Sequence, residues 1–449
     1  MPFGKTVFLG AMLAMGRMSE AKQVINNVWY CNEITKMQYT NVGCSGTFKT
    51  PSIMSDNSGS CSVDYAEQAY SGPLAPLNEQ ITFHLRGPLK LYNFAAYYID
   101  NTPDDEEEET PEGYQKREEA PQKHRRFEHL HHHQKRKMNV KTEVVEEVVT
   151  ITQYVDAPAP TTSSSSKVLD YDAAPSAVVA NAYKAHGKSK KPKKPKNGDL
   201  WKRTGFYDSG KQILEGVTFL NNKGGQGSGA WTGCFGNSLS YMSADGKSGS
   251  ATPQILADNT LFGVNEEFSI WTNQTCDGSC GYAYGGDVAY RGWDGDNKVF
   301  VFKFTMPPGH TDDSNIYGNS NMPAIWSLNS LIGRTQQYPA DKNWSCWDSG
   351  CGEFDIWEVL YPQAPACEYM TSTLHSAQGN PGTGKGGGGT CDYFKRPTDS
   401  TFTGMVSYLS DGTITIQKLD DSFDFPEYIT TDTIKKGFTS DMANFKVAS

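Results

Sequence analysis

Short apolar runs separated by Gly, Asp and Pro dominate the second half of the chain. The Val299–Phe304 run is apolar on both faces, as an inner strand would be, and Ser410-Asp411-Gly412-Thr413 is typical of a hairpin turn. No amphipathic helical repeat interrupts the series, so residues 199–449 are predicted to form one all-β domain, a two-sheet β-sandwich. The runs read as strands are Val217–Leu220, Phe268–Trp271, Val299–Thr305, Ala324–Leu328, Phe354–Leu360, Met370–His375, Met405–Leu409 and Thr413–Leu419.

A shorter stretch of the same character lies near the N-terminus. Between residues 24 and 100 the runs Ile81–Leu85 and Leu89–Tyr98 alternate or cluster apolar residues between Gly and Pro, which predicts a small β-rich N-terminal module. Residues 101–198 differ, because blocks of acidic, basic, His and Ser residues follow one another. Such low-complexity sequence cannot bury enough apolar surface to offset its ordering entropy, so a disordered charged linker is predicted there.

The charge balance bears on possible partners. The chain has a formal net charge of -10, and the 101–198 segment carries 17 basic and 16 acidic residues, so the acidity belongs to the two predicted folded parts. This argues against a general nucleic-acid binder, and no apolar stretch approaches the ~20 residues that a membrane-spanning helix needs. The basic run Lys188–Lys196 could act as a nuclear import signal or polyanion-binding arm, but a flexible spacer fits a secreted protein better.

Several features favour secretion. The chain has ten cysteines and two glycosylation sequons, beginning at Asn273 and Asn343, and residues 1–16 have the charge and apolar pattern of a signal peptide. Near Ser449 there is no hydrophobic tail of the kind that lipid attachment requires. The His-rich Leu130–His133 tract lacks a second ligand cluster, so no metal and no cofactor is predicted. Dibasic pairs such as Arg125-Arg126 are candidate sites of proteolytic cleavage.

The cysteines divide unevenly between the predicted folded parts. Cys31, Cys44 and Cys61 lie in the first and seven lie in the second, so either a disulfide crosses the linker or each part keeps one thiol. Closure of a long loop costs little more than closure of a shorter one, so a crossing disulfide is compatible with the linker. The local pairings favoured by the sequence are Cys346–Cys351, Cys367–Cys391 and Cys276–Cys280. Cys234 is then the odd cysteine of this part.

The segment Gly352–Glu358 carries the candidate chemistry. Side chains alternate along a strand, so Glu353 and Asp355 share one face and residue 357 should be next, yet the third carboxylate is Glu358. A one-residue bulge would return Glu358 to the same face. Two glutamates leaning inward from the ends of this row would bring their carboxyl groups to about 5 Å, the separation found in retaining glycosidases. The alternative is an edge strand with acids facing solvent, but the apolar neighbours favour a central strand.

Three segments together resemble a known enzyme family. Glu353-Phe354-Asp355-Ile356-Trp357-Glu358 resembles the catalytic strand of family sixteen glycoside hydrolases, the laminarinases and glucan transglycosylases. Pro323–Leu328 and Ser372–His375 are similar to the strands that flank it. With Leu85–Leu91 and Cys346–Gly352, the chain also resembles the fungal target-of-SBF cell-wall glycosidases, over both predicted folded parts.

The resemblance implies a concanavalin-like jelly roll and a role for each site residue. Glu353 would be the nucleophile, Asp355 its electrostatic assistant and Glu358 the acid/base. Trp326 would stack on a sugar ring and His375 would bind sugar hydroxyls, although a core Trp and a structural His are the alternatives.

The predicted function is that of a secreted, monomeric, endo-acting glucan endo-1,3-β-D-glucosidase that retains configuration and remodels the fungal cell wall. Its partner would be β-glucan polysaccharide rather than nucleic acid. Two alternatives stay open: a weakly active or inactive glucan-binding structural wall protein, and a glucan transglycosylase, which differs only in using a sugar hydroxyl instead of water as acceptor.

Overall fold

The structure is a computed structural model that describes residues 23–25, 28–57, 59–100, 200–286, 288–309, 320–335, 345–346, 350–375, 388–435 and 441–447. These residues all belong to one compact unit, and a second unit, 105–192, contains none of them. The predicted signal peptide and linker therefore lie outside the described residues.

Strands make up most of the described chain. They are β1 (Gln23–Ile25), β2 (Val28–Tyr30), β3 (Lys36–Thr40), β4 (Gly46–Asn57), β5 (Ser60–Tyr70), β6 (Ile81–Arg86), β7 (Lys90–Ile99), β8 (Leu200–Asp208), β9 (Ile213–Glu215), β10 (Val217–Asn221), β11 (Trp231–Thr232), β12 (Gly236–Asn237), β13 (Ser240–Met242), β14 (Gly249–Ser250), β15 (Glu267–Thr272), β16 (Lys298–Thr305), β17 (Ala324–Asn329), β18 (Glu353–Glu358), β19 (Tyr369–His375), β20 (Phe394–Lys395), β21 (Phe402–Leu409), β22 (Thr413–Lys418), β23 (Tyr428–Thr430) and β24 (Met442–Lys446). The helices are short: α1 (Ser330–Gly333), α2 (Thr431–Lys435) and a 3-10 turn (Ala366–Glu368).

Two nine-stranded sheets face each other. The front sheet has the order β14-β13-β10-β15-β6-β17-β18-β19-β20, and the back sheet has the order β23-β8-β7-β16-β21-β22-β3-β24, with β9 paired to β8. Aromatic side chains from both sheets meet in the core, where the Phe83 and Phe300 ring centroids are 4.5 Å apart and those of Phe302 and Trp357 are 5.8 Å apart. The predicted all-β sandwich is confirmed.

The predicted inner strand and hairpin are both present. β16 lies between β7 and β21, and its apolar side chains are buried on both faces, Phe300 in the main core and Val301 in a second cluster on the outer side. β21 and β22 pair as a hairpin whose turn contains Gly412 at φ 80°, a left-handed conformation that favours glycine.

The N-terminal strands are built into both sheets. In the front sheet β6 lies between β15 and β17, and in the back sheet β7 lies between β8 and β16 while β3 lies between β22 and β24. Here the structure differs from the predicted division into a separate N-terminal module and a 199–449 sandwich. The reason is that Ile81, Phe83 and Leu85 are buried in the main core shared with strands from the second half, rather than in a core of their own.

Four disulfides tie the chain together, and two of them join its N-terminal part to residues beyond 200. These are Cys31–Cys391 and Cys61–Cys234, and the other two are the predicted local pairs, Cys276–Cys280 and Cys346–Cys351. The Cys367–Cys391 prediction is wrong, because Cys391 lies against the N-terminal segment, where the Cys31 backbone N–H donates to its carbonyl at 2.8 Å. Cys44 and Cys367 stand outside the disulfides.

Cutting the chain between residues 101 and 198 should leave one covalent particle. With a protease site inserted in this segment, the cleaved protein is expected to run as one band on a non-reducing denaturing gel and as two bands after reduction, because both crossing disulfides remain. A Cys31→Ser/Cys61→Ser double variant is the control and should give two bands without reductant. Separation of the unmodified cleaved protein without reductant would contradict the two pairings.

Candidate active site

The three predicted carboxylates lie on one face of a bulged strand. Along β19 the partners of Glu353, Asp355 and Glu358 are residues 375, 373 and 371, which alternate by two and so share a face. From Asp355 to Glu358 the chain advances by three residues along β18, whereas their partners on β19 are only two residues apart. The pairing of β18 with β17 shifts at the same place. The predicted bulge is therefore confirmed, and Phe354 on the opposite face lies in the core.

Asp355 is the most buried of the three acids and is held by two neighbours on β19. Its Oδ2 atom lies 2.9 Å from His375 Nε2, and its carbonyl accepts a hydrogen bond from Ser372 Oγ at 2.9 Å. Ser372 in turn accepts a hydrogen bond from the Tyr39 hydroxyl at 3.0 Å, so the back-sheet strand β3 supports this position. His375, predicted as a sugar ligand, is buried and in this structure contacts the middle carboxylate.

The surroundings of Glu358 favour its protonated form. Burial raises the pKa of its carboxyl group from 4.5 to about 8, and the negative charges of Asp355 and Glu353 add to the increase, while the Arg86 guanidinium opposes it. The Arg86 Nη2 atom lies 3.3 Å from Glu358 Oε1. The Glu358 side chain retains 19% exposure, so it can still contact a bound molecule. A carboxyl group with this pKa is protonated at neutral pH and can act as a general acid.

Trp326 lies on β17, between Asp355 of β18 and His84 of β6. It is directly opposite Asp355 on one side and His84 on the other, its ring centroid is 5.7 Å from that of His84, and it is 4% exposed. It belongs to a buried cluster that also contains Phe48 of β4 and Tyr70 of β5. Its stacking on a sugar ring stays a prediction, and the indole as placed shows little surface to solvent.

The N-terminal strand β6 adds two side chains that the sequence analysis did not assign to the site. Arg86 contacts Glu358 and donates through Nε to the Met322 carbonyl at 2.9 Å, and His84 lies against Trp326. Burial lowers the pKa of His84 from 6.5 to about 3, so its imidazole is neutral. The alternation of polar Thr82, His84 and Arg86 with apolar partners in β6 is the signal that could have revealed them.

Tyrosines border Glu358 on the other side. Tyr369 is two residues from Thr371, the partner of Glu358, and its ring centroid lies 5.1 Å from that of buried Tyr30. Burial raises the pKa of the Tyr30 hydroxyl to about 12, and the Glu358 charge contributes. The Tyr30 hydroxyl therefore stays protonated beside Glu358.

No metal site and no membrane-spanning helix is found within the described ranges. There, no group of three or more His, Cys, Asp and Glu side chains is arranged to hold a metal ion. The helices in the same ranges are also too short and too polar to cross a bilayer.

Two models of known protein families match parts of this chain. The family described as "Cell wall protein YJL171C/Tos1, C-terminal" matches residues 199–437, and its N-terminal counterpart matches residues 35–99.

Similar curated proteins extend over nearly the whole chain. "Probable circularly permuted 1,3-beta-glucanase TOS1" of Saccharomyces cerevisiae is 36% identical, covering 88% of each chain, and the protein of the same name from Candida albicans is 34% identical, covering 97% of each. A "Probable circularly permuted 1,3-beta-glucanase" of Arthroderma benhamiae is 35% identical, covering 99% of each. No solved structure matched. By these matches the chain belongs to the YJL171C/Tos1 family of cell wall proteins.

Proposed function

We propose that the protein is a secreted, endo-acting β-1,3-glucan hydrolase that retains anomeric configuration and acts in the fungal cell wall. The observation that carries the proposal is the row of three carboxylates on bulged β18, with one of them held protonated at neutral pH. The names of the similar proteins support β-1,3-glucan as the substrate, and the four disulfides fit an oxidising compartment.

In the first half of the reaction, Glu358 donates its proton to the glycosidic oxygen while the Glu353 carboxylate attacks the anomeric carbon. The bond to the leaving sugar breaks, and a glycosyl ester forms on Glu353. Asp355, held by its 2.9 Å contact with His375, lies between the two glutamates along β18. Its negative charge raises the pKa of Glu358 and so helps to hold the proton on Glu358 until the substrate oxygen takes it.

In the second half, Glu358 acts as a base. The ester on Glu353 carries no charge, so one of the negative charges that raises the pKa of Glu358 is lost and that pKa falls. Glu358, already deprotonated by the first step, takes a proton from water, and the water oxygen attacks the anomeric carbon from the side that the leaving sugar occupied. The product has the configuration of the substrate.

The direct test uses the full chain, because a 199–449 fragment would lack β3, β6 and β7. The protein is incubated with laminarin and with β-1,3-oligosaccharides of defined length, and the first products are examined by proton NMR and by size. Internal cleavage with initial release of the β-anomer is expected. Initial release of the α-anomer would contradict retention. Products longer than the substrate would indicate transglycosylation instead, and binding without turnover would indicate a structural glucan-binding protein.

The charges around Glu358 predict opposite shifts of the pH profile. Arg86→Met removes the positive charge that lowers the pKa of Glu358, so the alkaline limb of kcat/KM should move to higher pH. Asp355→Asn removes a negative charge that raises the same pKa, so the limb should move to lower pH. Measuring kcat/KM from pH 5 to pH 10 checks both, and Arg86→Lys, which keeps the charge, is the control. Shifts of the same sign in both variants would exclude Glu358 as the group that titrates.

A further inference from the structure

A polar cavity opens on the front sheet away from the three carboxylates. Its volume is about 280 Å³, near the lower end of the range for small-ligand pockets. The polar side chains that line it come from well-separated parts of the chain and include His84, Asn222, Lys223, Asn237, Asn265 and Glu267.

The cavity shares a sheet face with the catalytic strand. Asp355 is opposite Trp326, Trp326 is opposite His84, and His84 is opposite Ser269, which also lines the cavity. Directly opposed residues lie on the same face, so one row runs across the sheet from β18 to β15. Three strand spacings separate the ends of this row, a distance of about 14 Å. A polymer that reacts at β18 and runs in this direction would reach the cavity after passing Trp326 and His84, which are buried and offer it little surface.

The lining suits an uncharged ligand with many hydroxyl groups. Each Asn amide can donate and accept hydrogen bonds, as a sugar hydroxyl does. The NH2 groups of Asn222 and Asn237 already make one such bond each, to the Asn237 and Lys223 carbonyls. The Lys223 ammonium is already engaged, because its Nζ atom lies 3.3 Å from Glu266 Oε1 and donates to the Gly246 carbonyl at 3.0 Å. Lys223 therefore offers little net charge to attract an anion.

An exposed indole stands beside this lining. Trp231 of β11 is 69% exposed and is directly opposite Asn237 of β12, so both side chains leave the two-stranded ribbon on one face. The ribbon is held firmly, since Cys234 forms a disulfide with Cys61 and Thr232 Oγ1 lies 2.9 Å from the Tyr284 hydroxyl. A Trp on a ribbon held in this way presents apolar surface to the C–H face of a sugar.

From these observations we propose that the cavity and Trp231 together form a distal binding site for the uncharged β-1,3-glucan chain, with Trp231 as its aromatic platform. This inference rests on the proposed function. Its consequence is a preference for long substrates, since only a chain that spans the row from β18 to β15 gains the distal contacts.

The test measures binding without turnover. In a Glu353→Gln background, affinities for laminarin, a β-1,3-linked hexasaccharide and the corresponding disaccharide are compared by calorimetry, with and without Trp231→Ala. We expect Trp231→Ala to weaken binding of laminarin and the hexasaccharide about tenfold, the loss expected for one aromatic contact, and to leave disaccharide binding unchanged. Trp231→Phe should restore most of the affinity. The matched control is Trp29→Ala, which removes an indole that is 58% exposed on β2 and should change nothing.

Each of the other possible results would overturn either the distal site alone or the proposed function as well. If the Glu353→Gln parent binds glucan and Trp231→Ala binds it equally well, the distal site is overturned and the proposed function stands. An equal loss in Trp29→Ala would assign the effect to nonspecific adsorption and would also overturn the site. If the parent binds no glucan and the unmodified protein hydrolyses none, the proposed function fails and the inference fails with it.

Discussion

Replacing Glu353 with Gln is expected to lower kcat for β-1,3-glucan hydrolysis by about 10⁴-fold or more. The amide has nearly the shape of the carboxylate but cannot form the glycosyl ester, and loss of a nucleophile has effects of this order in other enzymes. Glu353 is partly exposed at the start of β18, so the melting temperature should change little. The measurements are kcat on laminarin and thermal unfolding of both proteins.

A matched control is available on the opposite sheet. Glu215 is an exposed residue at the end of β9 in the back sheet, and Glu215→Gln should retain full activity. Activity of Glu353→Gln within tenfold of the unmodified protein would rule out Glu353 as the nucleophile. A large drop in melting temperature would instead assign the loss of activity to unfolding.

Replacing Glu358 with Ala is expected to lower kcat on glucan by about 10² to 10⁴, the usual contribution of a general acid. On an aryl glucoside whose leaving group needs no proton, azide should restore turnover, because azide attacks the glycosyl ester without help from a base. The cavity left by the side chain would lie beside the Arg86 guanidinium, now without its 3.3 Å carboxylate neighbour, and this charge favours an anion. Product formation is followed by NMR.

The configuration of the azide product distinguishes the two glutamates. With Glu358→Ala, azide takes the place of water on the glycosyl ester and gives the β-glucosyl azide. With Glu353→Ala, azide itself replaces the nucleophile and gives the α-glucosyl azide. The reverse pattern would exchange the two assignments, and failure of rescue in both variants would argue against a double-displacement reaction.

Local sequence was sufficient for the catalytic strand. The positions of Glu353, Asp355 and Glu358 depart from strict alternation by one residue, and a one-residue bulge returns all three side chains to the same face of the strand. The structure places that bulge between Asp355 and Glu358. The inner strand β16 could also be predicted from local sequence, because a run that is apolar on both faces must be covered on both sides.

The N-terminal side chain that contacts the catalytic strand could not be found in this way. Arg86 reaches Glu358 across 272 residues of sequence, and nothing near either residue encodes that pairing. The Cys367–Cys391 prediction failed for the same reason, since closeness in sequence was taken for closeness in space, whereas Cys391 bonds to Cys31, 360 residues away. A Trp in an apolar strand likewise does not reveal whether its ring is exposed to a ligand or buried, and Trp326 is buried.

The insertion of early strands between late ones affects how the chain must be made. β6 ends at Arg86, and its nearest sheet neighbour in sequence, β15, begins at Glu267, so 180 residues must be synthesised after β6 before β15 begins. At 5 to 20 residues per second this takes roughly 10 to 40 s. Throughout that interval the backbone edges of β6, a strand with one apolar face, are unpaired, a state prone to aggregation. We expect the nascent chain to depend on chaperones until β15 and β17 emerge, and ribosome-bound chains that stop before β15 to be protease-sensitive.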